Sequence, residues 1–139
     1  MTGHDEGEEP RGSSPSRVRA RAKTVLVGSE RFLGPGVVQL LHAVDATGSV
    51  KAACERIGLS YTKGWRLIHT LEAELGSPCV ARRAGGVGGG RASTTPECRA
   101  LLERFEAFTA EVDAAVDALF ARRFPDLDAP APPPPGPRP

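Results

Sequence analysis

Residues 49–75, SVKAACERIGLSYTKGWRLIHTLEAEL, decide how this chain folds. Ser49 and Ser60 are residues of the type that cap helices, and each stands just before an apolar-periodic run. In the first run Val50, Ala53, Cys54 and Ile57 fall at i, i+3, i+4 and i+7, which is one face of a helix. Gly58 closes it, because glycine takes the left-handed conformation after a helix end at no steric cost. In the second run Tyr61, Gly64, Trp65, Ile68, Leu71 and Leu75 fall on one side, and Thr62, Lys63, Arg66 and Thr70 fall mainly on the other. Gly76-Ser77-Pro78 stops it. Two short helices therefore meet across Ile57-Gly58-Leu59-Ser60 alone. The small residues Ala52, Ala53 and Gly64 let their backbones approach. This is the anatomy of a helix-turn-helix.

Outward from that pair, the flanks complete a small domain. Val25-Leu26-Val27 and Arg31-Phe32-Leu33 read as extended pieces, a strand or hairpin around Gly28-Ser29. Pro35 suits the first turn of a helix. Val37, Leu40, Leu41 and Val44 give it one apolar face, and Gly48 ends it. On the other side, Cys79-Val80-Ala81-Arg82-Arg83 and Arg91-Ala92-Ser93-Thr94 flank the glycine loop Gly85-Gly86-Val87-Gly88-Gly89-Gly90, which predicts a hairpin, the wing. Thr95 caps and Pro96 starts a long last helix. In it Leu101, Phe105, Phe108, Val112, Ala115 and Leu119 step by 4, 3, 4, 3 and 4, the seam of a helix pair. Leu102, Val116 and Phe120 widen the stripe, and Phe124-Pro125 ends it. The expected fold is mainly α with a small β-hairpin: a winged helix-turn-helix followed by a long C-terminal dimerisation helix. The expected organisation is a disordered charged tail over 1–22, the DNA-binding domain over 23–95, the dimerisation helix over 96–124 and a Pro-rich disordered tail over 125–139. Both tails have compositions that bury too little apolar surface to offset chain entropy.

Charge locates the partner. The 139 residues carry a net charge of only +1. Between residues 49 and 91, however, Lys51, Arg56, Lys63, Arg66, Arg82, Arg83 and Arg91 face only Glu55, Glu72 and Glu74, a net +4. The final helix is net −2 over residues 97–123, and residues 1–10 are acidic. A basic middle with acidic flanks points to a polyanion, and with a helix-turn-helix that is double-stranded DNA. Ser60, Tyr61, Thr62, Lys63, Arg66 and Thr70 are the expected contacts of the second helix. Ser49 joins them from the start of the first, and Arg82, Arg83 and Arg91 from the wing. Helical phase places Trp65 in the core with Ile68, whereas Tyr61 either joins it or reaches DNA. Arg17, Arg19, Arg21 and Lys23 form either a DNA-binding arm or a solubilising segment.

Other function classes lack their residues. The glycine loop has the length of a phosphate loop, but Arg91 and Ala92 stand where its Lys and Ser/Thr belong, and no helix starts there. Cys54, Cys79 and Cys98 have no C-x-x-C spacing and do not cluster in sequence with His4, His42 or His69, so reduced thiols and no metal are expected. No paired-carboxylate or nucleophile–base motif stands out, and the expectation is a protein that is not an enzyme and needs no cofactor. With neither a run of about 18 apolar residues nor a secretory start, the expected place is the cytoplasm, without membrane partners. The alternative to DNA binding is a winged-helix adaptor whose Pro-rich tail serves as a polyproline ligand.

The pieces Leu40-Leu41-His42-Ala43-Val44-Asp45-Ala46-Thr47-Gly48-Ser49, Ala52-Ala53, Gly58-Leu59-Ser60-Tyr61 with Trp65 following, Val80-Ala81-Arg82-Arg83, the glycine loop and Thr94-Thr95 carry a resemblance. Residues 34–105 resemble the N-terminal domain of ModE-type molybdate-responsive regulators, a cousin of the LysR-type DNA-binding domain. The resemblance implies a dimeric, sequence-specific transcriptional regulator in molybdenum or oxyanion homeostasis. Members of that family continue into small molybdate-binding barrels. Here a Pro-rich tail is found instead, so the effector domain is expected to be missing and no oxyanion-site residue carries over. A separate effector protein or an oxyanion then stays open as a further partner.

Overall fold

The computed structural model describes residues 18–83 and 90–128. The acidic N-terminal segment, most of the glycine loop and the Pro-rich end of the chain lie outside the described residues. By their contacts Lys23–Val112 form one unit, and of the described residues 18–22 and 113–128 belong to a second.

The first unit begins with a hairpin, β1 (Leu26–Val27) against β2 (Arg31–Leu33), antiparallel and with an irregular register. Then come three helices, α1 (Pro35–Thr47), α2 (Val50–Ile57) and α3 (Tyr61–Leu75). Their ends are set by the residues expected to set them. Ser49 Oγ accepts from the Ala52 N–H at 3.0 Å, and Ser60 Oγ from the Lys63 N–H at 3.1 Å. Gly58 takes φ +73° in the turn between α2 and α3, a conformation any side chain would strain. The two helices cross closely because Gly64 has no side chain. A methyl group there would lie 2.3 Å from Cys54 Sγ.

Strands β3 (Val80–Arg83) and β4 (Arg91–Thr94) form the wing, antiparallel, with Val80 opposite Thr94 and Arg83 opposite Arg91. The wing is tied down at its base. The Ala92 N–H donates to the Gly48 carbonyl at 2.9 Å. Thr94, the one buried polar residue among the described residues, donates its N–H and its hydroxyl to the two carboxylate oxygens of Asp45 on α1, at 2.7 and 2.6 Å. The Cys79 N–H donates to Glu72 on α3 at 2.8 Å. The hairpin is held at the same C-terminal end of α3, with the Ser29 N–H donating to Glu74 at 3.2 Å. Wing and hairpin thus both tie down the last turn of α3.

The long helix α4 (Pro96–Arg123) starts with Thr95 Oγ1 accepting from the Cys98 N–H at 3.1 Å. Cys98, Leu102 and Phe105 bury themselves in the core with Leu33, Leu40, Leu41, Val44, Ile68 and Leu71. Phe105 was expected in a dimer seam, and it is instead a core residue of its own domain, 4 % exposed. The reason is the phase of the first turns of α4, where residues 98, 102 and 105 share the inward face. Leu101 packs partly against the same core. In the second unit a short helix, α5 (Pro125–Asp128), follows α4, and the rings of Phe120 and Phe124 stack at 5.2 Å. Among the described residues no helix is long and apolar enough to cross a membrane.

Candidate nucleic-acid interface

Helix α3 turns Gly64, Ile68 and Leu71 inward and leaves Tyr61, Thr62, Lys63 and Arg66 exposed. Tyr61 is 46 % exposed and therefore free of the core. Thr70 is half-buried, and its hydroxyl donates to the Arg66 carbonyl at 2.9 Å, which ties it to its own helix. Trp65 departs from expectation. It packs only partly against the core, because its position falls at the edge of the buried strip. Its ring stacks on His69 at 5.1 Å, meets Tyr61 edge-on at 6.4 Å and lies beneath the Arg82 guanidinium at 5.9 Å. A cation over an indole face is attracted to the ring quadrupole. Trp65 therefore joins α3 to the first strand of the wing.

Where the wing base meets the starts of α2 and α3 there is a cleft of about 310 Å³. Ser49, Lys51, Tyr61, Arg82, Arg83 and Arg91 line it, and among the described residues no carboxylate does. Four of these side chains are cations. The free amides of a helix start lie at the same place, which suits a phosphate. The structure thus brings together Ser49, Tyr61 and the three wing arginines of the expected set. Ser60, Thr62, Lys63 and Arg66 continue it along α3. Lys51 and His69 stand in the same surfaces and were not among the expected contacts. A count of charge alone could have suggested Lys51, whereas nothing in the sequence marks His69.

The thiols stand apart from this surface. Cys54, Cys79 and Cys98 are free and buried. Burial, with the neighbouring Glu55 charge, pushes the Cys54 thiol up. A hydrogen bond with Cys98, together with burial, pushes Cys79 up. Among the described residues no group of three or more His, Cys, Asp or Glu side chains is placed to hold a metal ion.

The fold and its basic face are those of a DNA-binding helix-turn-helix domain. Residues 37–99 match the bacterial regulatory helix-turn-helix protein family of LysR type. Among its relatives, the molybdenum-pterin-binding protein MopB of Rhodobacter capsulatus is 36 % identical over 110 residues, covering 79 % of this chain and 37 % of that protein. The molybdenum transport protein ModE of Azotobacter vinelandii is 33 % identical over 85 residues, 61 % of this chain and 32 % of that protein. The chain thus spans about a third of the length of these relatives. The crystal structure of the CbnR DBD–DNA complex is similar at 24 % identity and a TM-score of 0.48, covering 63 % of this chain and 95 % of that one.

Proposed function

We propose that this protein is a sequence-specific transcriptional regulator that binds double-stranded DNA as a homodimer and acts in molybdenum or oxyanion homeostasis. The reading is carried by one observation, the continuous polar and cationic surface made by the outer face of α3 and the cleft at the wing base. In it α3 lies in the major groove. Thr62, Lys63 and Arg66 meet base edges there, with Ser60 and Tyr61 at its start. Ser49, Lys51, Arg82, Arg83 and Arg91 hold the flanking phosphates, and these position the protein without reading sequence. The molybdenum link is inferred from the names of the relatives. The domain limits proposed are 23–95 for DNA binding and 96–124 for dimerisation, and such a regulator works in the cytoplasm.

The homodimer rests on apolar side chains that the domain core leaves uncovered. Phe108 is 47 % exposed, Leu119 is 48 % exposed, Val112 is half-buried and Ala115 is exposed. A second copy of α4 packed across a two-fold axis buries them. Selection from a random duplex library tests the whole reading. The expected result is a motif of two related half-sites, about one helical turn or a multiple of it apart. Enrichment of no sequence at moderate salt would overturn specific DNA reading and leave the basic face to another polyanion or a protein partner.

A further inference from the structure

His69 lies nearer the centre of the outer face of α3 than Lys63 does. At roughly 100° per residue the buried residues Gly64, Ile68 and Leu71 define one side of the helix. The opposite direction falls among Thr62, Arg66, His69 and Ala73, and Lys63 turns toward the edge. These four line one shallow groove with Glu30.

The imidazole is oriented twice over. It stacks on Trp65 with 26° between the planes, and its Nδ1 lies 3.2 Å from Glu72 Oε1. The other oxygen of that carboxylate, Oε2, accepts from the Cys79 N–H at 2.8 Å, so Glu72 is itself held by the wing base. A carboxylate only accepts hydrogen bonds. The hydrogen between the two groups therefore belongs to Nδ1, and the neutral ring carries a bare lone pair on Nε2. The side chain is 67 % exposed, and among the described residues Nε2 has no hydrogen-bond partner.

We infer that His69 reads a base edge, its Nε2 accepting a hydrogen bond from the exocyclic amino group of adenine or cytosine. This rests on the proposed seating of α3 in the major groove, where those two amino groups are the only base donors. Protonation reverses the role. An imidazolium donates from Nε2, and the bases that offer acceptors and no donor in the major groove, guanine through N7 and O6 and thymine through O4, become its complement. The charged groups that face the ring are Glu72 on its own helix, Glu30 of the β1–β2 turn, Arg66 on the same face and Arg82 above the Trp65 ring.

The test is selection from random duplexes by the full chain and by His69→Ala, at about pH 8 and about pH 5. For the native chain at the higher pH, one position of the motif should favour adenine or cytosine about three- to ten-fold, the worth of one hydrogen bond. His69→Ala should lose that preference and keep every other position. Acid should move the native preference at that position toward guanine or thymine and leave the variant unchanged. A native motif that His69→Ala reproduces at every position would overturn the inference alone. A position lost in the variant yet indifferent to pH would overturn the assigned tautomer and acceptor role. A native chain that enriches nothing would overturn the seating of α3 in the groove, and this inference with it.

Discussion

Gly64→Ala tests the crossing on which the helix-turn-helix depends. The added methyl would lie 2.3 Å from Cys54 Sγ, well inside the roughly 3.5–4.0 Å at which non-bonded atoms rest. It cannot slide aside freely, because Leu59 and Leu40 stand 3.8 and 3.9 Å away. The sulfur cannot swing into water either, since Cys54 is 1 % exposed. Overpacking a dense core costs about 1–3 kcal/mol, and so close a contact belongs at the upper end. Alanine in a helix interior gains about 1 kcal/mol over glycine. The net expectation is a loss of about 2 kcal/mol, or roughly 8–16 °C in Tm for a domain of this size. Urea denaturation followed by circular dichroism measures it. In a Cys54→Ala background the obstructing atom is gone, and Gly64→Ala should there stabilise by up to about 1 kcal/mol. The double-mutant cycle should give a coupling of about 3 kcal/mol. A Gly64→Ala variant as stable as the native chain, or an equal loss in both backgrounds, would refute the reasoning.

Four further outcomes are expected. Asp45→Ala leaves both Thr94 donors without their carboxylate and should cost about 2–3 kcal/mol, whereas Thr94→Val should cost about 1 kcal/mol; urea denaturation of the two variants compares them. Replacing Arg82, Arg83 and Arg91 together by alanine should flatten the dependence of log K on log salt by about one unit per lost phosphate contact, and an unchanged slope would remove the wing from the interface. Val112→Glu with Leu119→Glu should turn a dimer into a monomer in sedimentation, and a native chain already monomeric at about micromolar concentration would end the dimer proposal. Cys54, its thiol raised by burial, and Cys79, raised by its hydrogen bond with Cys98 and by burial, should be alkylated at about pH 8 roughly tenfold or more slowly in the native protein than in urea. The raised thiols also set a direction for stability. Their contribution is present below the unfolded thiol value of about 8.5 and is lost as pH rises through the folded value.

Elements whose limits come from local interactions were legible from the chain alone. A Ser hydroxyl reaches an amide three residues on, and a glycine turns left-handed without help, so Ser49, Gly58 and Ser60 marked the helix-turn-helix before any packing was known. The apolar period placed Ile68 and Leu71 inward and Lys63 and Arg66 outward, as they stand. The hairpin between Val80 and Thr94 was readable from its extended, glycine-broken pattern. What needed the tertiary structure is what depends on a second element. Periodicity gives a side chain its phase on a helix but not the neighbour that covers it. Phe105 lies in the core because α4 begins against α1 and α3, and Trp65 stays at the surface because Arg82 and His69 share its faces. Lys51 becomes part of a cationic cleft only when the wing folds back beside α2. His69 gains a fixed tautomer only through Glu72, which the Cys79 amide of the wing base holds in place.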